Sequence, residues 1–468
     1  MRLSARTIAE LCGGKLLSGN PETIFTQVVL DSRNVPPGAL FVALPGENHD
    51  GHDFLESALQ TGAAGALLMR QPDTQPAGDP CLILVEDCTR SLQSLAAAWR
   101  RLMGLPVVGV AGSNGKTTTK ETLHTVLGAH VPTHATPGNA NSQVGAPLAI
   151  LHTPENAELL VLELGTSMPG ELSRISAMAA PDMAVITAAF GEHLEFLKDI
   201  DGVVREETTI LDALPHGALA VVGSAEIKLV EAARQRKHLR IESLGTRPED
   251  DWTLGDIEMS IDGTRFTLAS RHGARELHTP LLGAPAAWAA AFAVIIAHEI
   301  GLAESTIDRG LARAQPAAHR LVAARHPDRP LLILDDCYNS NPAACIAAIE
   351  TALALHQGRR ELVLVLGDML ELGEQTESAH REVGEQVAAL TATMASDTLL
   401  VTVGPLSKEI ARAARTQGLP GAAELRILEA PDTASARALL TPILDQATAA
   451  TMLLKASRGI GLEALLEI

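Results

Sequence analysis

Residues 107–120 read VVGVAGSNGKTTTK, and no other run in the chain restricts its fold as strongly. An apolar segment at 107–110 has the pattern of a buried strand, a glycine-containing turn follows, and Lys116-Thr117 opens a helix. Glycines let successive backbone N–H groups converge on one anion, and the helix N-terminus adds positive potential there. Lys116 is placed to reach the β- and γ-phosphates of a nucleotide, and the Thr117 hydroxyl to ligate Mg²⁺. The longer pattern GxxxxGK[ST] would need glycine at 110, where Val110 stands, so the match is to Gly112-Ser113-Asn114-Gly115-Lys116-Thr117. An ordinary glycine turn is the alternative; a strand before it and a helix after it favour the nucleotide.

A strand entering a helix through such a turn belongs to an α/β architecture. At roughly 150 residues per domain, a chain of 468 residues is expected to form three. The first, 1–104, alternates short apolar runs with turns, such as 39–44 between Pro36-Pro37-Gly38 and Pro45-Gly46; a helix over 91–103 leads to the linker Gly104-Leu105-Pro106. The second, 105–314, alternates strands at 159–164, 184–187 and 219–222 with helical stretches, which predicts a mostly parallel sheet covered by helices. Around Pro316 the pattern restarts with strands at 331–334, 362–366, 399–403 and 452–454, giving a third α/β domain over 315–468. Only 2% of residues are aromatic, so aliphatic side chains must build the cores.

The formal charge of −19 argues against a nucleic-acid partner, because duplex binding neutralises phosphates with Lys and Arg. An anionic small substrate needs a local basic site instead. The five cysteines, Cys12, Cys81, Cys88, Cys337 and Cys345, are odd in number and no pair has zinc-site spacing, so reduced thiols in a cytoplasmic chain are expected. The first residues lack the apolar segment of a signal peptide. The most apolar stretch, 284–297, is too short to span a bilayer and predicts a buried helix, so no membrane partner is expected.

Two further residues stand where the carboxyl ends of parallel strands gather ligands. Glu163 ends the apolar run at 159–162, and an unpaired carboxylate there is costly unless a cation compensates it; capping of the next loop is the alternative. His193 follows the next strand in Gly191-Glu192-His193-Leu194-Glu195 and is a candidate site residue.

Taken together, GSNGKTTTKE, TPGNANSQVGAPLAIL at 136–151, LELGTSMPGEL at 162–172, HRL at 319–321, DDCYNSNP at 335–342, VLGDMLELGE at 365–374 and LLKASRG at 453–459 resemble the Mur ligase family. The N-terminal DSRNVPPGALFVALPGENHDGHDF at 31–54 is similar to the UDP-binding domain of the family's D-alanyl-D-alanine-adding member. The resemblance implies a small α/β UDP-binding domain, a central ATPase-like parallel-sheet domain and a C-terminal Rossmann-like α/β domain. It also implies a cytoplasmic, monomeric ligase using ATP and two Mg²⁺ ions, with a UDP-N-acetylmuramoyl-tripeptide and D-alanyl-D-alanine as substrates in peptidoglycan precursor synthesis. The tripeptide carboxylate would attack the γ-phosphate, and the dipeptide amine would then displace phosphate from the acyl phosphate.

Carried over by the same resemblance, Lys116, Glu163, His193, Arg320 and Asp336 are catalytic. Gly112, Ser113, Asn114, Gly115, Thr117, Thr118, Tyr338 and Asn341 bind nucleotide. Ser32 and Arg33 meet the UDP group, Asn139 and Asn141 bind substrate, and Lys455, Ser457 and Arg458 form a basic cluster for the dipeptide carboxylate or peptide stem. Metal ligands would be Thr117, Glu163, His193 and Glu207, the last at a position where the family carries a carbamylated lysine. A solvated acidic face is the alternative for Glu207, and Glu206 is expected to point away from the site. The family's adenine-reading asparagines are replaced by Ala286 and Ala289, which leaves Trp288 to stack on the base. Two other readings remain at this stage: a Mur-type ligase with a different acceptor, or a nucleotide-binding protein whose ligase activity has decayed.

Overall fold

The computed structural model describes residues 1–46, 49–356, 361–392, 394, 397–416 and 425–468. Four sheets organise them. Near the N-terminus, Leu3–Ser4 pairs with Ile24–Phe25 in an antiparallel ribbon. A five-stranded sheet follows in the order Lys15–Ser18, Cys81–Leu84, Gly65–Leu68, Leu40–Val42, Val28–Val29. Helix Cys88–Met103 leaves this unit, capped by the Asp87 carboxylate, which accepts the Arg90 N–H at 3.0 Å, and ended by Gly104 at φ +63°. It packs on helices Gly145–Leu151 and Glu171–Ala179 of the next unit. Arg100, near its end, donates to the Ala179 and Ala180 carbonyls and to Asp182 at 3.0–3.1 Å. The helix is therefore a shared wall between two cores.

The central sheet has nine strands, in the order Gly273–Thr279, Gly263–Ser270, Trp252–Ser260, Arg240–Gly245, Leu219–Gly223, Met183–Ile186, Val107–Ala111, Leu159–Glu163, Thr133–Ala135. The first seven strands in chain order are mutually parallel, as expected; the last two join through antiparallel pairings, which were not expected. They alternate polar and apolar residues with one face solvated, so they lack the continuous apolar runs that mark the buried parallel strands. The phosphate-loop strand Val107–Ala111 lies between Leu159–Glu163 and Met183–Ile186. The carboxyl ends of these three strands consequently bring Gly112, Glu163 and Thr187 to one crevice. Helix Ala284–Ile300 is apolar nearly all round and buried, and it packs against the phosphate-loop helix Lys116–Gly128.

A six-stranded sheet closes the fold, in the order Val322–Arg325, Leu331–Asp336, Ala450–Lys455, Glu361–Gly367, Asp397–Val403, Leu425–Ala430. All pairs are parallel except the first. Strands of the first two sheets fall within 3–84, of the nine-stranded sheet within 107–279 and of this sheet within 322–455. The five cysteines are free thiols, and among the described residues no helix is long and apolar enough to cross a membrane.

Candidate active site

The phosphate loop is held by backbone sterics. Gly112 has φ +120°, and a Cβ there would lie 2.2 Å from Thr187 Oγ1, so no other residue fits. Gly115, at φ +82°, turns the chain into the helix that Lys116 begins. The Ser113 hydroxyl accepts the Phe190 N–H at 2.6 Å, and the Thr187 hydroxyl donates to the Asn114 carbonyl at 2.5 Å. Lys116 Nζ curls back to the Gly112 carbonyl, to the Ser113 carbonyl at 3.2 Å and to Glu192 Oε1 at 3.3 Å. Burial by itself would lower its pKa, but Glu192, Glu207 and Glu163 outweigh burial and hold the ammonium above its ordinary range. Burial also raises the Glu192 carboxyl, against the pull of Lys116. Glu192 was not singled out from sequence; its only signal was its place beside His193.

Glu163 is 1% exposed at the end of its strand. Its Oε1 accepts the Thr117 hydroxyl at 3.2 Å and the Asn141 amide at 2.7 Å. Its Oε2 is buried and has no hydrogen-bond partner. A buried carboxylate oxygen without a partner, beside a threonine hydroxyl at a phosphate loop, is the donor set of a hard divalent cation. The residues present therefore fit Mg²⁺, which Glu163 and Thr117 would hold. Asn141 orients Glu163 through its amide nitrogen.

His193 lines the same crevice at φ +51°, and its Nδ1 lies 2.9 Å from Glu371 Oε2, which comes from the C-terminal unit at φ +63°. Glu371 stands within the 365–374 motif but had not been assigned a role.

Glu206 and Glu207 are both buried, which removes the solvated acidic face that was the alternative reading for Glu207. Glu206 accepts the Thr166 hydroxyl at 3.0 Å and the Leu172 and Gly170 N–H groups at 2.9 and 2.8 Å. It thus caps helix Glu171–Ala179. Glu207 Oε2 accepts the Gly112 N–H at 2.6 Å from behind the phosphate loop. Against the expectation of a metal ligand, Glu207 does not line the cavity; as placed it braces the loop rather than facing the phosphates. Burial pushes its carboxyl up to about 8, opposed by Lys116 and the Gly112 N–H.

The C-terminal unit supplies the opposite wall. Arg320 sits 4.2 Å over the Tyr338 ring, and Arg458 lies on the same ring at 5.9 Å. Its neighbours His319 and Leu321 both have positive φ, +60° and +53°, a strain of about 1 kcal/mol or more each in residues with a Cβ. The Leu321 N–H donates to Asp336 Oδ1 at 3.0 Å, and the Tyr338 N–H to the His319 carbonyl at 3.1 Å, so the strand end holds the linker. Asn341 and Asn114 exchange amide hydrogen bonds of 2.7 and 3.1 Å, clasping the phosphate loop to the start of helix Pro342–His356.

The expected basic cluster is split. Lys455 is buried, pairs with Asp336 Oδ2 at 2.8 Å and donates to the Asn339 carbonyl at 2.6 Å, so its charge is already matched. Ser457 is buried and its hydroxyl accepts the Leu370 N–H at 3.0 Å, away from the cavity. Arg458 alone is exposed, pairing with Glu463 at 3.4 Å. Nor does the structure bring Ser32 and Arg33 to this crevice. Ser32 is buried in the N-terminal unit, and Arg33 is exposed and bound to Asp31 at 2.6 Å. Residues 47–48 of the N-terminal motif lie outside the described residues.

These walls enclose a cavity of about 530 Å³. Ser113 to Thr118, Asn139, Asn141, Glu163, His193, Arg320, Asp336, Tyr338, Asn341 and Lys455 line it. Its other end is apolar, formed by Leu281, Leu282, Ala286, Ala289, Trp288 and Phe292, with Ala343, Ala344 and Ala347 facing them across the domain boundary. The cavity has one charged end and one flat apolar end, which is the polarity of a nucleotide.

Three family models cover most of the chain: the Mur ligase family catalytic domain over 25–101, the Mur ligase middle domain over 110–297 and the Mur ligase glutamate ligase domain over 319–458. The chain is 35% identical to a UDP-N-acetylmuramoyl-tripeptide--D-alanyl-D-alanine ligase of Bacillus subtilis over 83% of both chains. It is 33% identical to the Escherichia coli enzyme of that name over 77% of this chain and 78% of the other. Among solved structures it superposes on MurF from Acinetobacter baumannii with a TM-score of 0.88 at 27% identity, covering 100% of this chain and 98% of that one. It also matches MurF ligase from Thermotoga maritima in complex with ADP, with a TM-score of 0.80 at 26% identity over 94% and 96%.

Proposed function

This chain belongs to the Mur ligase family, and from that premise we propose that it joins D-alanyl-D-alanine to UDP-N-acetylmuramoyl-tripeptide with hydrolysis of ATP to ADP and phosphate. The family and the relatives' named activity carry the reaction; the cavity carries the residues. The observation that supports the site reading most is the partnerless buried Glu163 Oε2 beside Thr117 and Lys116. A cation bound there would neutralise phosphate charge while two anions, carboxylate and γ-phosphate, approach each other.

The chain's own groups divide the rest. Backbone N–H groups of Asn114 to Lys116 cradle the phosphates, those of Gly112 and Ser113 being held by Glu207 and the Ala188 carbonyl, and the Lys116 ammonium, released from Glu192, follows the charge of the transferring phosphoryl group. Trp288 and the alanines around it take the base. Arg320, stacked on Tyr338, reaches the same phosphates from the C-terminal wall. The tripeptide carboxylate attacks the γ-phosphorus and ADP leaves; the dipeptide amine then attacks the acyl carbon, loses a proton, and inorganic phosphate leaves. Ser32 and Arg33 would hold the UDP end of the substrate at the N-terminal unit. The His193–Glu371 contact spans two domains, so His193 would have to leave Glu371 to hold a second cation.

ADP release, measured with each substrate omitted in turn, tests this reading. Turnover requiring both the UDP-tripeptide and D-alanyl-D-alanine supports it. Turnover supported by a different amino acid acceptor in place of the dipeptide would overturn the substrate assignment.

A further inference from the structure

The linker that carries Arg320 holds a second cluster of metal-ligating side chains, outside the cavity. His319 Nδ1 lies 2.8 Å from Asp335 Oδ2, and the Cys337 thiol lies 2.8 Å from Asp335 Oδ1. The sulfur and the imidazole nitrogen are 3.8 Å apart, and one ligand atom from each residue falls within 4.8 Å of the others. Asp335 and Cys337 are buried, whereas His319 is partly exposed and opens the cluster to solvent. None of the three lines the nucleotide cavity. We propose that His319, Asp335 and Cys337 form a site for one thiophilic divalent transition metal, zinc foremost, that pins the interdomain linker to the C-terminal sheet.

The donor set decides the class of metal. Imidazole nitrogen, carboxylate oxygen and thiolate sulfur together suit Zn²⁺ or Co²⁺, while Mg²⁺ and Ca²⁺ take oxygen ligands. A tetrahedral zinc, with bonds of about 2.3 Å to sulfur and 2.0 Å to nitrogen, separates these two atoms by about 3.5 Å. The observed 3.8 Å is close to that. The carboxylate contact to His319 must open by about 0.5 Å and that to Cys337 by about 0.7 Å, which rotation of the Asp335 side chain supplies. Three protein ligands leave a fourth position, on the exposed His319 side, for water.

Local geometry explains why the atoms converge although their sequence spacing gives no sign of it. Asp335 lies in strand Leu331–Asp336 and Cys337 two residues on, so both side chains project to one face. His319 reaches them from the linker because its positive φ turns the ring inward, and the Tyr338 N–H fixes its carbonyl at 3.1 Å. On binding, the thiol proton leaves to solvent, the imidazole presents its Nδ1 lone pair and keeps a proton on Nε2, and Asp335 remains a carboxylate. Because the thiol proton must leave, affinity rises with pH. Binding would fix the strained linker and with it Arg320 over Tyr338.

The test is a Co²⁺ titration of the full chain after chelator treatment and dialysis, with millimolar Mg²⁺ present throughout. One Co²⁺ per chain is expected, with a thiolate-to-cobalt charge-transfer band and the visible bands of a four-coordinate ion, both removed by one equivalent of Zn²⁺. C337S removes the charge-transfer band. H319Q retains that band and weakens Co²⁺ binding by more than about a hundredfold, a larger loss than removing an outer partner of a metal ligand. Circular dichroism checks that each variant is folded; should C337S fail to fold, H319Q alone decides. Absence of the band in the unaltered chain, its persistence in C337S, or unchanged affinity in H319Q would overturn the proposal.

Discussion

Glu206 and Glu207 are adjacent buried carboxylates with different partners, and their substitutions should separate stability from nucleotide binding. Glu206 accepts three hydrogen bonds at 2.8–3.0 Å, two of them from N–H groups at the start of helix Glu171–Ala179. Hydrogen bonds to a charged group contribute about 1.5–3 kcal/mol each and are not additive. Glu206→Ala leaves two buried N–H groups and a hydroxyl without their acceptor, so a loss of about 3–5 kcal/mol is expected in denaturant unfolding. Glu206→Gln keeps one acceptor oxygen but turns an NH₂ group toward an N–H donor, for a loss of about 2–3 kcal/mol.

Glu207 behaves in the opposite sense. Burial holds its carboxyl at about 8 in the folded chain, above the ordinary 4.5. Folding therefore takes up a proton there, and that stabilisation is complete below pH 4.5 and is lost as pH rises through 8. The slope is at most about 1.4 kcal/mol per pH unit. Glu207→Gln keeps an acceptor for the Gly112 N–H without the titration. Measured free of nucleotide and metal, the variant should match the unaltered chain near pH 5 and be more stable than it at pH 9. Its defect should appear in nucleotide affinity and kcat instead. Equal stability losses for the two glutamine variants at pH 7, or an unchanged pH profile for Glu207→Gln, would refute this division.

Asp336→Ala strands the buried Lys455 ammonium, which is 3% exposed, and should cost about 3–5 kcal/mol in thermal or denaturant unfolding. Asn341→Asp keeps the acceptor for the Ala344 N–H but loses the donor to Asn114 Oδ1; calorimetric titration should show ATP bound about tenfold more weakly, equivalent to about 1.4 kcal/mol. With an apolar base end and no side-chain amide at 286 or 289, selectivity should be relaxed, and a preference for ATP over GTP above about a thousandfold in kcat/KM would contradict that.

The sequence was most informative where function depends on consecutive residues. The strand–glycine–helix order at 107–120 specified the loop, and a carboxylate ending an apolar strand specified Glu163, because both signals are local. Partners that lie far away in the sequence left no such trace. Glu192 and Glu371 read as members of polar runs, yet one meets Lys116 and the other His193. Lys455 read as a free cation because nothing in 453–459 reveals Asp336 on the neighbouring strand. Glu206-Glu207 beside Arg205 has the composition of a solvated helix face, and only the packing of that helix over the loop and the 170–172 turn buries it. The antiparallel strands at 263–279 were missed for a related reason: their alternation is half polar, and they lie at the sheet edge.

The most direct test of the account follows one oxygen atom. The tripeptide's terminal carboxylate is labelled with ¹⁸O, ATP and D-alanyl-D-alanine are supplied, and the inorganic phosphate is analysed by mass spectrometry. If the cavity joins the substrates through an acyl phosphate, one labelled oxygen passes from the carboxylate to each phosphate released, and Lys116→Ala abolishes that transfer while the protein remains folded. Phosphate without label, or undiminished transfer in Lys116→Ala, would contradict the account.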